Sequence, residues 1–301
     1  MRHCTTVALA FAGMAAFGSL AHAADLPSPN NTVPQPDTSG PDWIAQWFQR
    51  VDAAQASQPH WMTPLVTVTP RLEEEVRYDQ SWQTLQNGGS LDNYGGGKGL
   101  ELIPTTTNEV IIGVPPYEDR QSAKPASGFA DWPAILIKQR LLSANESHGN
   151  YILTAFLAAS APTGVAAFTN NAWLITPTIA GGVGFGDFDV QATFGAALPT
   201  AYESTLGTAF ATNVALQYHF ATYFWPELEF NDTYWDGGLR SGKNQLFITP
   251  GVVLGRFQLP GRAKLSVGVG YQVALGPVVQ NTPVMTPTYN HEWLMSARVS
   301  F

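Results

Sequence analysis

The sequence is poor in three things that most soluble domains have. Cysteine occurs once, at Cys4. That position lies in a leader-like stretch, so the exported chain would have no disulfide, thiolate metal site or cysteine nucleophile. Charged residues make up only 13% of the chain, against roughly 25% in ordinary soluble domains. The third lack is a long apolar run: after the first two dozen positions none reaches the length of a membrane helix. Basic surplus is missing too. The formal net charge is −8, which argues against nucleic acid as a partner.

The start of the chain reads as a secretory signal. Arg2 precedes an apolar, alanine-rich stretch from Val7 to Leu20, and Ala21-His22-Ala23 supplies a small-x-small cleavage site. The expected organisation is a signal peptide over 1–23, a linker over 24–41 and a helix over 42–58. The linker holds five prolines. In the helix Trp43, Ile44, Trp47, Phe48 and Val51 recur at helical spacing, opposite Gln46, Gln49, Arg50 and Asp52. Such a helix can plug a barrel mouth, lie on the periplasmic membrane face or merely rest on a rim.

The rest, 62–301, changes to period two. Leu265, Val267, Val269, Tyr271, Val273 and Leu275 alternate with Lys264, Ser266, Gly268, Gly270, Gln272 and Ala274. Phe188, Val190, Ala192, Phe194, Ala196 and Leu198 do the same against Asp189, Gln191, Thr193, Gly195 and Ala197. Soluble sandwiches also alternate, but their strands average about 5–6 residues, and these are about twice as long, as a membrane strand must be. In hydrocarbon every backbone donor and acceptor needs an internal partner, and a closed sheet is the only alternative to helices. The fold class expected is all-β: a transmembrane, antiparallel, up-and-down β-barrel with a short N-terminal helix, in the outer membrane of a Gram-negative cell.

Further strands are expected near 66–82, 100–114, 132–143, 151–161, 173–185, 207–221, 223–235, 245–257 and 289–301. That makes eleven, whereas single-chain bacterial barrels have an even number. One strand is therefore missed or two are merged. Twelve is the first choice and ten the second, with the hidden strand sought between 59 and 85. Short turns at 145–149, 186–187 and 221–222 read as periplasmic, and longer segments at 86–99, 117–130 and 276–288 as extracellular loops. The final strand ends in Phe301, a C-terminal aromatic of the kind the barrel-assembly machinery recognises.

With the apolar face placed outward, several charges fall in the lumen, because a charge in mid-bilayer on the lipid face costs about 2–4 kcal/mol. They are Arg71, Glu73, Glu75 and Arg77 on the first strand and Glu101 and Glu109 on the second. Lys138 and Arg140 follow on the third, and Glu227 and Glu229 on a later one. Glu74 is out of phase, which puts it at a strand end or a bulge. Two readings stand: a salt-bridge network filling a narrow barrel, or a lining that selects what passes.

Chemistry finds little support. Glu227 and Glu229 are a carboxylate pair, but i, i+2 pairs arise in any polar lumen. Ser241 with His219 or His291 has no hydrolase motif around it. His60, His148, His219 and His291 lack metal-ligand spacing. The glycine-rich 181–186 run has no helix after it, as a nucleotide loop requires. No cofactor is expected. The expected partners are outer-membrane lipids, the assembly machinery and small-molecule solutes, with the oligomeric state open.

Gly128-Phe129-Ala130-Asp131 followed by Lys138-Gln139-Arg140-Leu141-Leu142 resembles the G-x-G-D…K-Y-R-L segment of a family of outer-membrane barrels. That family is associated with the meta-pathway of phenol degradation and is distantly similar to long-chain fatty-acid channels. Ala130 and Gln139 depart from its pattern, and Gly186 to Gln191 is also similar to it. The resemblance implies passive uptake of small, hydrophobic or aromatic compounds, and no catalytic residues. A non-conducting structural or adhesive barrel is the alternative, and an outer-membrane hydrolase a remote one.

Overall fold

A computed structural model describes residues 42–86, 88–95, 98–280 and 288–301. The segments read as a signal peptide and a proline-rich linker lie outside the described residues. The described part begins with helix α1 (Asp42–Ala56), followed by fifteen hydrogen-bonded segments. They are β1 (Glu75–Leu85), β2 (Ser90–Tyr94), β3 (Gly99–Thr105), β4 (Asn108–Ile112), β5 (Tyr117–Gln121), β6 (Ala126–Phe129) and β7 (Trp132–Ala144). After these come β8 (Tyr151–Ala161), β9 (Leu174–Phe185), β10 (Phe188–Pro199), β11 (Thr208–Tyr218) and β12 (Phe224–Asp236). The last three are β13 (Asn244–Gln258), β14 (Lys264–Leu275) and β15 (Tyr289–Ser300). A single helical turn, α2 (Glu203–Leu206), precedes β11.

All pairings are antiparallel, and β15 pairs back to β1, with Glu75 opposite Ser300 and Trp82 opposite Trp293. The sheet is therefore closed. β2 and β3 run in line along the two halves of β1. β5 continues β4, and β6 continues β7, in the same manner. Three barrel strands are thus interrupted, and the barrel has twelve. One break falls at Pro115 and Pro116, which have no N–H to give a ladder.

Two strand assignments change. The region read as one strand over 100–114 is the hairpin β3–β4, and its splitting supplies the twelfth strand. Its tight connection is held by side chains: Asn108 N donates to Thr105 Oγ1 at 3.0 Å and Thr105 Oγ1 to Asn108 Oδ1 at 2.7 Å. The strand read over 66–82 begins only at Glu75, and no strand lies hidden between 59 and 74. Pro59, Pro64 and Pro70 explain this, since each removes a donor from a segment whose valines alternate as a strand's would. Conversely, the regions read as loops at 86–99 and 117–130 contain β2, β5 and β6.

The outer face is what a bilayer requires. Val76, Ile112, Ile137, Leu157 and Val269 are exposed around the middle of the barrel. Tyr151, Phe185, Tyr218, Phe220 and Phe224 ring the short-turn end, and Trp82, Trp173, Tyr234 and Trp293 stand toward the long-loop end. Such a band between two aromatic girdles is the signature of a membrane barrel. Val269→Arg should cost about 2–4 kcal/mol at mid-bilayer, read as a lowered urea midpoint in lipid. A midpoint equal to the native one would mean that this face does not meet lipid. The inward Gln272 is 2% exposed and donates to Asn231 Oδ1 and Thr249 Oγ1 at 3.0 and 2.7 Å. Its replacement is therefore not the free change that a water-filled lumen would allow.

Candidate functional site

The lumen is filled at its short-turn end. Between α1 and β1, residues 59–74 leave the wall and form a strap inside the barrel. Its base is pinned by Gln58, whose amide donates to Leu72 O at 2.8 Å and accepts from Leu72 N at 2.9 Å. Its tip reaches the middle of β12, where Thr67 meets Asn231. α1 lies across the same mouth: Arg50 reaches Pro104 O at 2.6 Å and Asn145 reaches Ala56 O at 2.9 Å. Val51 and Ala54 of the helix pack on Leu72 and Ile103, with Trp47 beside them.

A buried segment without secondary structure must find partners for its backbone elsewhere. Here the barrel's side chains supply them. Glu227 accepts from Leu65 N at 3.0 Å, and Glu229 accepts from Val66 N and Thr67 N at 2.8 and 2.6 Å. Glu109 accepts from Glu73 N at 2.6 Å. Lys138 Nζ donates to Arg71 O at 2.9 Å and pairs with Glu109 at 2.9 Å. Arg77 donates to Leu65 O at 2.6 Å, but its ion pair is with Asp79 at 2.8 Å and not with Glu75. Arg140 donates to Ala54 O at 2.8 Å, and to Ser57 Oγ and Thr106 O, closing the C-terminal end of α1. Arg71 and Glu73 lie on the strap itself and pair at 2.8 Å. Glu75 and Glu101 face each other at the start of the β1–β3 ladder, both buried, with Lys98 3.6 Å from Glu101. All ten lumen charges named from the sequence are therefore in or around one plugged half of the barrel.

Several partners of the strap were not singled out in the sequence. Arg298 donates to Thr63 O and Pro64 O, Arg256 to His60 O and Trp61 O, and Gln191 to Met62 O. Glu74 turns inward immediately before β1, accepting from Trp47 Nε1 at 2.7 Å and Ile103 N at 2.6 Å. Arg298 and Gln191 sit on inward phases of readable strands, where alternation places them, but alternation does not mark them as partners of a strap. Leu65 could not be found that way. It inserts among Met62, Trp225, Val253 and Leu294, against a wall where Gly251, Gly268 and Gly270 leave room for it.

The strap lies between two cavities. One of about 370 Å³ opens at the short-turn mouth beside His60, Trp61 and Arg256. The other, about 320 Å³, lies toward the long loops, against Trp235, Phe247 and Tyr289. Ser241 forms no hydrolytic constellation with His219 or His291. His219 stacks on Trp225 at the end opposite to Ser241, and His291 packs with Tyr271 on the outer face. Among the described residues no group of His, Cys, Asp and Glu is placed to hold a metal.

No family model matches the chain, and no curated protein matches it by sequence. Solved structures do. An outer membrane channel from Pseudomonas putida F1 superposes with a TM-score of 0.51, over 75% of this chain and 94% of that one, at 14% identity. The NanC porin gives 0.48 over 75% and 98%, at 7% identity. This is the fold of an outer-membrane channel. The likeness is one of fold alone, and no sequence match supports the tie to phenol degradation. The segment that carried that resemblance has a structural task in this barrel: Asp131 accepts from Gly164 N and Asn170 N at 3.1 and 2.8 Å, fastening the β8–β9 loop.

Proposed function

We propose that the chain is an outer-membrane channel for passive uptake of small, hydrophobic or aromatic solutes, closed at rest by the strap and α1. The observation that carries this is the construction of the plug. The barrel closes through β1 and β15, and of residues 59–74 only Glu74, the strap's last residue, adds a backbone bond to that seam, accepting from Phe301 N at 3.0 Å. The plug is held by side chains, so its removal leaves the wall intact. The aromatic lining of the long-loop cavity supports the solute class. In this reading the leader is cleaved after export, the short turns and α1 face the periplasm, and Phe301 is the assembly signal.

The second reading, a non-conducting structural barrel, draws on the same plug, whose backbone is so fully engaged. Planar-bilayer recordings of the full chain separate the two. Brief, well-resolved openings, modulated by added benzyl alcohol, are expected of a plugged channel. A silent trace at all voltages, with no entry of aromatic solute into vesicles coated with lipopolysaccharide, would leave only the structural reading.

A further inference from the structure

The cavity at the short-turn mouth holds a carboxylate that the plug does not use. Asp189, the second residue of β10, lines that cavity and is 1% exposed. Its Oδ1 accepts from Gln191 Nε2 at 3.0 Å, while Oδ2 is buried and has no hydrogen-bond donor among the described residues. Its cross-strand neighbours, Gly184 and Gln217, carry no charge. Glu109, Glu227 and Glu229, by contrast, each accept from a strap N–H. Burying a carboxylate is costly unless it is paired and hydrogen-bonded, so an oxygen placed in this way calls for a donor.

Two of the other fixed charges around this cavity are engaged with the strap. Arg256 donates to His60 O and Trp61 O at 3.0 and 2.7 Å. Glu146 accepts from His60 N at 2.5 Å, and its other oxygen lies 2.9 Å from His60 Nδ1. The third, Asp187, is exposed in the Gly186-Asp187 turn at the cavity's entrance. The walls are aromatic beside the two aspartates: Trp61 and Trp225 line the space, and the His219 ring stacks on Trp225 at 4.0 Å.

We propose that this cavity binds small primary ammonium ions, an N–H reaching Asp189 Oδ2 and the organic part lying against Trp61 and Trp225. A primary ammonium brings three donors on a compact charge. A quaternary ammonium brings the charge without a donor and leaves Oδ2 as it stands. A carboxylate would add an acceptor where a donor is needed. Ring faces attract positive charge as well, so the aromatic wall favours the same sign. Size agrees: about 150 Å³ already accommodates benzene, and this cavity offers about 370 Å³. Asp187 at the entrance and a net charge of −8 both draw cations toward the mouth. The site does not depend on whether the barrel conducts.

Equilibrium dialysis of the folded full chain in detergent tests the site, with benzylamine, benzyltrimethylammonium and benzoate as probes. Benzylamine should bind saturably and most tightly, benzyltrimethylammonium more weakly, and benzoate least. Asp189→Asn keeps the shape and an acceptor for Gln191 but removes the charge. It should weaken benzylamine about tenfold or more and narrow the gap between the two cations. Asp187→Lys sets a rival ammonium at the entrance, on an exposed turn where folding is not at stake, and should also weaken benzylamine. Heat-modifiable migration in detergent gels reports that each variant has folded. Equal binding of benzylamine and benzoate overturns the site, as does tighter binding of the quaternary ion than of the primary one. Benzylamine binding indifferent to both substitutions overturns it too. Should Asp189→Asn fail to fold, Asp187→Lys decides alone, and undiminished benzylamine binding there removes the site.

Discussion

Gly268→Leu is expected to open the barrel. A Cβ at Gly268 would stand 2.6 Å from a methyl of Leu65, and those at Gly251 and Gly270 at 2.5 and 2.9 Å. Each is too close for any side chain unless Leu65 withdraws. Overpacking a rigid core usually costs about 1–3 kcal/mol. In this barrel the obstructing residue belongs to a strap that adds no ladder bond before its last residue, Glu74, so the strain has an exit that leaves the wall standing. Leu65 is also the residue whose N–H is held by Glu227 and whose carbonyl is held by Arg77, so its displacement loosens the strap at its tip. The variant should remain heat-modifiable in detergent gels, as a closed barrel does, and should show longer and more frequent openings than the native chain. A mature chain shortened to begin at Glu74 should be open throughout. If Gly268→Leu prevents folding and the shortened chain does so too, the strap is part of the barrel's core and not a plug. If both fold and conduct no better than the native protein, the block lies elsewhere.

Much of the wall was legible because a bilayer imposes a strict rule on it. On β10 and β14 the lipid side must be apolar and the other side is free to be polar, so period two appears in the sequence directly. The β3–β4 turn was illegible for a local reason. Thr105, Thr106 and Thr107 are β-branched and read as strand, and the turn is made by hydroxyl and amide bonding in place of Gly or Pro. The strap was illegible for a more general one. Glu227 and Glu229 would alternate inward whether they faced water, a passing solute or the backbone of another segment. Sequence fixes the side of the wall on which a carboxylate stands, but not what occupies the lumen beside it. The one warning was the trio Pro59, Pro64 and Pro70, which no interior barrel strand tolerates at that density.

The largest loss of stability is expected at Lys138. Its ammonium and the Glu109 carboxylate are fully buried, 2.9 Å apart, with Phe156 5.6 Å away. A pair so far from water gains little over an apolar replacement, but removing one partner strands the other. Lys138→Met alone should therefore cost about 3–5 kcal/mol, measured by urea titration in lipid vesicles. Glu109→Gln alone should cost less, because a glutamine oxygen can still accept from Glu73 N. The double change should recover most of the Lys138→Met loss, giving a large coupling in the cycle. Conductance adds a second axis. Lys138 also holds Arg71 O, a bond that the double variant does not restore, so its barrel should be nearly as stable as the native one and its strap looser. Stability restored while openings remain frequent is the result that assigns the pair two tasks, one for the wall and one for the plug. Additive losses, with no coupling, would instead mean that each charge is separately solvated. The lumen at that level would then be wet, and the two side chains would return to the pore-lining role that alternation alone assigns them.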